Sequence, residues 1–362
     1  MKLMTVLGAR PQFIKAGAVS RALRNFPEIR EMIVHTGQHF SANMSDIFFE
    51  ELELPDPHYH LEINRLTHGA MTGRMLEQIE AILLKESPDA VMVYGDTNST
   101  LAGALAARKL HIPVMHVEAG IRSFNGKMAE EINRILTDRV SQVLFCPSQT
   151  AVDNLLREGF GQFESTILQA GDVMEDAALY YGPKALERVA ILDKLGLKNK
   201  DYVLCTLHRA ENTDDPVRFQ QIVAALNAIS VRMPVVLPLH PRTQKLLVNH
   251  GLRLDSILLP PLGYLDMLNL LQHARIVMTD SGGLQKEAYF FNKFCLTMRD
   301  DTEWPELVTG GYNFLVGANT ALILNTLEEV LSKKYPLKQV FFGGGKASGK
   351  IADFIASFDR IP

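Results

Sequence analysis

Short apolar runs alternate with stretches of helical spacing along almost the whole of this 362-residue chain. Such alternation predicts parallel sheets covered by helices on both faces, because parallel strands need a helical crossover between them. The runs that we interpret as strands are 3–7, 32–35, 90–94, 113–117, 143–146, 166–169, 202–206, 235–238, 257–259, 276–279 and 295–298. The stretches that we interpret as helices include 14–25, 69–85, 99–109, 130–139, 218–232, 283–291 and 351–358.

The alternation restarts near Ala170-Gly171-Asp172, so the sequence predicts two Rossmann-like α/β domains. We place them at 1–169 and 170–348, with a terminal helix in 349–362. A chain of this length can build two cores. Open α/β sheets bind ligands beyond the carboxyl ends of their strands. Two such domains facing each other therefore predict a cleft lined by strand ends from both.

Composition excludes several classes of function. A formal charge of −4 with scattered Lys and Arg argues against a nucleic-acid partner. No apolar run approaches the roughly 20 residues of a membrane span, and the N-terminus does not resemble a signal peptide. Cys146, Cys205 and Cys295 are isolated, which predicts buried thiols in a reducing cytoplasm and neither disulfides nor a zinc site.

Two glycine-rich patterns do not support a nucleotide cofactor. Residues 344–350 have the spacing of a P-loop, but Ile351 replaces the Ser or Thr that would hold magnesium. No G-x-G-x-x-G pattern follows the first strand, so a nicotinamide site is not expected either. We expect no cofactor and no metal.

Carboxylates and arginines lie directly beyond the strand 113–117, in the segment HVEAGIRS and in EEINR a few residues later. Burying Glu118, Arg122, Glu130 and Arg134 without partners would be costly. Either these side chains satisfy one another, or they await a ligand. Asp96, at the end of the preceding strand, favours the second interpretation.

The turn after the first strand, GARPQFIK, carries Arg10 and Lys15. Its glycine permits a tight turn, and Pro11 suits a helix start. The two cations could bind an anion at the helix N-terminus, or they could be solvated charges on a turn. The residues alone leave this choice open.

A second glycine-containing turn, TDSGGLQKE, follows the strand 276–279. Ser281 occupies the position of a helix N-cap. Gly282 and Gly283 would let a ligand approach backbone amides that suit a phosphate, and Glu287 could accept hydrogen bonds from ribose hydroxyls. The alternative is an ordinary capped helix. We favour binding, because paired glycines destabilise a helix that they only cap.

Two further strand ends carry polar residues whose roles stay open. Asp96 in YGDTNST could form only a cap or an Asx turn, which is the usual fate of such an Asp. His208 in HRAEN could be a core histidine held by Glu211, or it could donate to a phosphate. Taken singly, each favours the structural interpretation.

Together these segments resemble the non-hydrolysing UDP-N-acetylglucosamine 2-epimerase family. The ordered matches are GARPQFIK, TGQH, YGDTNST, HVEAGIRS, EEINR, HRAEN, DSGGLQKEA, RDDTEWPE and the terminal GGGKAS, which together run through nearly the whole chain. The resemblance implies a glycosyltransferase B-type fold and a homodimer that needs neither metal nor nicotinamide. It also implies a last helix that returns to the first domain.

The family's reaction inverts C2 of the sugar. The C2 hydrogen has no neighbouring carbonyl, so the implied route is loss of UDP from C1 with removal of the C2 proton. This gives a 2-acetamidoglucal, and proton return to the opposite face with re-addition of UDP completes the inversion. Positive groups and helix amides would stabilise the departing diphosphate, and carboxylates would move protons.

The resemblance assigns roles position by position. It implies a catalytic set of Asp96, Glu118, Glu130, Lys15 and His208. It implies a substrate-binding set of Arg10, Arg134, Ser281, Gly282, Gly283 and Glu287. Glu130, the first of the Glu pair, is the one that the pattern selects. Which carboxylate removes the C2 proton stays open.

Departures from the family pattern bear on the substrate. GARPQ replaces GTRPE, Ala129 replaces a Pro, and Trp304 replaces the Arg of TERPE. Residues 40–44 lack the pattern of members that a second UDP-GlcNAc regulates. Interconversion of UDP-GlcNAc and UDP-ManNAc is the first expectation. The branch acting on UDP-2,3-diacetamido-2,3-dideoxyglucuronate is the second, and a glycosyltransferase with a UDP-sugar donor is the alternative from another class.

Overall fold

A computed structural model describes residues 1–38, 49, 51–188, 190–239 and 241–358. The chain forms two compact units, one comprising Met1–Ala177 and the residues from Val340 on, the other Ala178–Gln339. The sequence placed these limits at 169 and 349. The helix Val173–Leu186 begins just after the expected break and runs through the boundary at Ala177, and the Asp172 amide donates to the Phe342 carbonyl at 2.8 Å. The returning chain therefore joins the first unit before the terminal helix begins.

The first unit contains a parallel sheet of seven described strands in the order β3-β2-β1-β4-β5-β6-β7. The strands are β1 (Lys2–Leu7), β2 (Arg30–His35), β3 (Tyr59–His60), β4 (Ala90–Tyr94), β5 (Val114–Val117), β6 (Val143–Cys146) and β7 (Thr166–Gln169). The chain reverses its winding direction between β1 and β4. Ligands bind at such a switch point in open α/β sheets.

Helices flank this sheet. They are α1 (Arg10–Leu23), α2 (His68–Glu86), α3 (Asn98–Lys109), α4 (Ala129–Val140), α5 (Gln149–Arg157) and α6 (Val173–Leu186). The 3₁₀ turn Phe160–Gln162 precedes β7. Helix α1 begins four residues before the expected start, because the Gln12 side chain accepts from the amides of Gly8 and Ala9 at 2.8 and 2.9 Å. These bonds satisfy donors that would otherwise be left without partners at the helix start.

The second unit repeats the winding, with six described strands in the order β10-β9-β8-β11-β12-β13. The strands are β8 (Val203–Thr206), β9 (Val235–Pro238), β10 (Ile257–Leu259), β11 (Ile276–Thr279), β12 (Cys295–Thr297) and β13 (Asn313–Leu315). After α7 (Ala190–Lys194), the helices are α8 (Ala210–Thr213), α9 (Pro216–Ser230), α10 (Pro241–Asn249), α11 (Tyr264–His273), α12 (Gly282–Phe290), α13 (Pro305–Thr309) and α14 (Thr320–Ser332). The terminal helix α15 (Ala347–Ala356) belongs to the first unit.

The predicted class, two parallel α/β units, is confirmed. Each unit packs its own apolar core between sheet and helices. The sequence missed β3 and β13, since runs of two and three residues with polar members give no apolar signal. Residues 40–44 lie outside the described chain. No helix in the described ranges is long and apolar enough to cross a membrane.

Candidate active site

Lys15 and Glu118 form a buried ion pair in the first unit. The Lys15 ammonium donates to Glu118 Oε2, and the two side chains are only 10 % and 9 % exposed. Gly95 lies against this pair, since a Cβ built there would be 3.1 Å from Lys15 Nζ and 3.2 Å from Glu118 Oε2. The ends of β4 and β5 and the first turns of α1 thus bring these groups together. Lys15 is therefore not a solvated charge on a turn.

Glu118 has a backbone conformation that is uncommon for a side-chain-bearing residue. Its φ is +74°, in the left-handed region. The amides of Glu118 and Ala119 both donate to the Phe145 carbonyl at 3.0 Å, which holds this turn against β6. Such conformations persist where the surroundings determine them, and they cluster at functional sites.

Asp96 forms a second ion pair, with the buried Arg134, while its own side chain is 31 % exposed. Arg134 Nη2 donates to Asp96 Oδ2, and its Nη1 donates to Glu131 Oε2 at 2.7 Å. The Asn133 side chain donates to the Asp96 carbonyl at 2.9 Å. The N-cap of α3 is Thr97, so Asp96 is not the cap that one of the two open interpretations allowed. The turn after β4 and the first half of α4 are joined here.

The two members of the Glu pair differ in their surroundings. The Glu131 carboxylate accepts from Ser123 N, Ser123 Oγ and Phe124 N at 2.9–3.0 Å, in addition to Arg134. Glu130, in the first turn of α4, is half-buried. Within the described part of the chain, no hydrogen bond or ion pair engages its carboxylate. Glu131 therefore shapes the loop, whereas Glu130 is available for other contacts.

The sequence left two interpretations of this charged cluster and favoured groups that await a ligand. The structure shows ion pairs at Glu118, Asp96, Arg134 and Arg122, and these groups remain candidates for contact with a ligand. Arg122 contacts Asp138 at 2.7 Å. Arg10 is the first residue of α1 and is half-buried.

In the second unit, Asp280 organises the end of β8. This fully buried carboxylate accepts from the amides of His208 and Arg209 at 3.0 and 2.9 Å. The His208 ring lies 3.4 Å from it and is 45 % exposed. His208 is therefore neither a core residue nor held by Glu211, as the structural alternative expected. Its exposed ring can contact a ligand.

The Ser281-Gly282-Gly283 turn opens α12. Ser281 occupies the N-cap position, but its side chain makes no capping bond, contrary to expectation. The Gly282 carbonyl accepts from the Trp304 indole at 3.0 Å, and Lys286 Nζ lies 4.0 Å from the centre of that ring. Glu287 is buried on the same helix. Amides at a helix start without a side-chain cap are suited to an anion.

Arg299 anchors the loop that carries Trp304. It is fully buried and donates to Glu303 and Asp301, each at 2.7 Å, with Glu211 at 3.5 Å from its Nε. Burial raises the pKa of Glu211, and the charge of Arg299 opposes this effect. This network fixes the segment RDDTEW beside the Gly282 turn.

Sequence reasoning missed Gly95, Arg299 and the pair formed by His116 and Asp138. His116 begins the segment HVEAGIRS, but Asp138 lies 22 residues further along the chain in a helix, without a local pattern. No group of three potential ligands among the described residues is arranged to hold a metal.

Comparison with known proteins defines the class. The family model for UDP-N-acetylglucosamine 2-epimerase matches residues 21–356. The UDP-2,3-diacetamido-2,3-dideoxy-D-glucuronate 2-epimerase of Pseudomonas aeruginosa is 55 % identical over 98 % of this chain and 99 % of its own. The UDP-N-acetylglucosamine 2-epimerase of Methanocaldococcus jannaschii is 46 % identical, over 97 % and 98 % of the two chains.

The solved structure of the Methanocaldococcus jannaschii UDP-GlcNAc 2-epimerase in complex with UDP-GlcNAc and UDP gives a TM-score of 0.93 at 44 % identity. The match covers 99 % of this chain and 100 % of the solved chain. The expected glycosyltransferase B-type fold is thereby confirmed. The chain belongs to the UDP-N-acetylglucosamine 2-epimerase family. It is an isomerase, a UDP-sugar 2-epimerase.

Proposed function

We propose that this protein epimerises C2 of UDP-2,3-diacetamido-2,3-dideoxyglucuronate. The observation that carries this choice is the 55 % identity with the Pseudomonas aeruginosa enzyme over nearly the full length of both chains. The departures at GARPQ, Ala129 and Trp304 support the same branch. Interconversion of UDP-GlcNAc and UDP-ManNAc is the second candidate, favoured by the fold match to a UDP-GlcNAc 2-epimerase.

The reaction proposed is elimination followed by addition. A carboxylate removes the C2 proton, the C1–O bond to UDP breaks, and the electron pair of the C2–H bond forms a C1=C2 double bond. A proton is then delivered to the opposite face of C2, and the β-phosphate oxygen of UDP bonds to C1 again. No redox partner is needed, because electrons and atoms balance within the substrate.

The first-unit acids would act on the sugar. Glu118 pairs with Lys15, and Asp96 pairs with Arg134, which suits groups that exchange protons and stabilise an electron-poor C1. Glu130 has a carboxylate that no described group engages, which supports its role as a third acid. We leave open which of the three removes the C2 proton.

The second-unit residues would bind the nucleotide. The α12 start at Ser281, Gly282 and Gly283 has amides without a side-chain cap, which supports diphosphate binding. Glu287 would accept from the ribose hydroxyls, and the exposed ring of His208 would donate to a phosphate. Arg10 and Arg134 of the first unit complete the proposed substrate-binding set.

We further propose that the enzyme works as a homodimer in the cytoplasm without a cofactor. Multi-angle light scattering on the purified protein tests the dimer. A monomer mass at working concentration would contradict it.

The test of function uses the purified protein in deuterated water with each UDP-sugar in turn, with C2 followed by NMR. We expect deuterium at C2 of the diacetamido-glucuronate substrate and of its epimer, with UDP still attached. Faster exchange with UDP-GlcNAc would favour the second candidate.

Three other results would contradict the proposal. Stoichiometric release of UDP and free sugar would indicate a hydrolysing enzyme. UDP release only after addition of an acceptor, without C2 exchange, would indicate a glycosyltransferase. Binding of UDP without any exchange would indicate a protein that only binds the nucleotide sugar.

A further inference from the structure

His116 and Asp138 form a fully buried pair in the first unit, close in space to the turns that carry Asp96 and Glu118. His116 Nδ1 lies 2.7 Å from Asp138 Oδ1, and His116 Nε2 lies 2.7 Å from the Gly95 carbonyl oxygen. Both side chains are 0 % exposed. A carboxylate and a carbonyl can only accept, so both ring nitrogens donate. The histidine therefore links α4 to the turn after β4.

The second oxygen of Asp138 holds the loop that carries Glu118. Asp138 Oδ2 accepts from the Gly120 amide at 3.1 Å and from Arg122 Nη1 at 2.7 Å. Burial opposes ionisation of Asp138, but His116 and Arg122 outweigh it and lower the pKa of this carboxyl. Glu118 lies between His116 and Gly120, so one carboxylate fixes the chain on both sides of its left-handed turn.

The Gly95 end of the link through His116 lies next to the Lys15–Glu118 pair. A Cβ built on Gly95 would lie 3.1 Å from Lys15 Nζ and 3.2 Å from Glu118 Oε2. Asp96 follows it directly. A shift of the Gly95 peptide would therefore move the Asp96 turn and change the space that the Lys15–Glu118 pair occupies.

We propose that His116 and Asp138 are positioning residues for this reaction: the His116–Gly95 bond and the Asp138–Gly120 bond together set the geometry of Glu118 and Asp96. This inference rests on the proposed function. Neither residue is exposed, so neither contacts the substrate, and their effect passes through the backbone of the two turns. A misplacement of about 1 Å at reacting groups lowers a rate on the order of 100-fold.

The test compares His116→Gln with His116→Asn. A Gln amide reaches the position of Nε2 and can still donate to the Gly95 carbonyl, whereas an Asn amide reaches only the position of Nδ1. We expect kcat for C2 exchange to fall about 100-fold in His116→Asn and by less than about 10-fold in His116→Gln. The Kd for UDP, measured by calorimetry, should match the wild type in both.

A second readout needs no turnover. The His116 ring N–H that donates to Gly95 is fully buried, so its NMR resonance should exchange slowly with water in the wild type. It should be lost in both variants, with a slow amide resonance replacing it only in His116→Gln. If the His116 variants do not fold, Asp138→Asn and Asp138→Ala replace them. Asn keeps an acceptor for Gly120 and should retain kcat within about 10-fold, whereas Ala should lose about 100-fold.

Asp176→Asn is the control. Asp176 is a buried carboxyl of the same unit that accepts from the amides of Ala347 and Ser348. It should lower thermal stability and leave kcat unchanged. Equal kcat in His116→Gln and His116→Asn, or in Asp138→Asn and Asp138→Ala, would overturn the positioning role. So would variants that lose only stability, or the absence of the slow ring resonance. A wild type without C2 exchange would instead refute the proposed function.

Discussion

Gly95→Ala tests the site at the place where its geometry is tightest. Gly95 has φ +63°, where Ala is disfavoured by about 1–2 kcal/mol, and the loss of chain freedom in the unfolded state returns roughly 0.4–1 kcal/mol. The net loss, about 1 kcal/mol, is small beside a typical stability of about 5–15 kcal/mol. The variant should therefore fold.

The activity should fall further than the stability. The new methyl would lie 3.1 Å from Lys15 Nζ and 3.2 Å from Glu118 Oε2, where ordinary contacts begin at 3.4 Å. The ion pair must therefore move by a few tenths of an ångström. Since about 1 Å of misplacement lowers a rate on the order of 100-fold, we expect kcat to fall about 10-fold.

The assay combines C2 exchange in deuterated water with urea unfolding followed by circular dichroism. Gly73→Ala is the matched control, because Gly73 lies inside α2 with nothing within 4 Å of its Cβ position. Its free energy of unfolding should rise by up to about 1 kcal/mol, and its rate of C2 exchange should match the wild type. A wild-type rate in Gly95→Ala would refute the argument that the reactive groups lie against this glycine.

Three further predictions concern the framework of the site. Gly120 has φ +78°, and Gly120→Ala would place a Cβ 2.3 Å from the Ala151 carbonyl oxygen. Urea unfolding should show a free energy of unfolding lower by about 3 kcal/mol, and a wild-type value would contradict this close packing. Arg299→Met leaves buried Glu303 without its cation and should lower stability by about 3–5 kcal/mol, as followed by the fluorescence of the only tryptophan. An unchanged transition would show that the network is not needed for stability. The lowered pKa of Asp138 stabilises the fold above the unfolded value of about 3.9, and this contribution is lost as pH falls through the folded pKa. The stability difference between wild type and Asp138→Asn should therefore shrink in acid, and a constant difference would contradict the pairing.

The strands were the most predictable part of the fold. Six of them, among them Ala90–Tyr94 and Ile276–Thr279, begin and end where the apolar runs do, because buried parallel strands are apolar on both faces. Helix α1 began earlier than expected, since the Gln12 side chain bonds that fix its start are not visible as hydrophobic periodicity. The boundary between the units lies at Ala177, inside helix α6, which begins only after the break that the sequence suggested.

The candidate site was predictable as a set of strand ends but not as a set of contacts. Motif order selected Glu130 over Glu131, and the structure shows that Glu131 is engaged by loop amides and Arg134. The His116–Asp138 link joins residues far apart in the chain, so no local spacing reveals it. Ser281 had the right position for a cap, yet its side chain orientation could not be read from sequence.

Glu118→Gln tests whether a first-unit acid exchanges the sugar proton while other groups bind UDP. The comparison is with Glu86→Gln, which alters an acid that pairs with Lys2 in the same unit. We expect no deuterium at C2 in Glu118→Gln, with the affinity for UDP retained, and normal exchange in Glu86→Gln. Exchange at the wild-type rate in Glu118→Gln would show that the Glu118 carboxylate does not take part in moving the sugar proton.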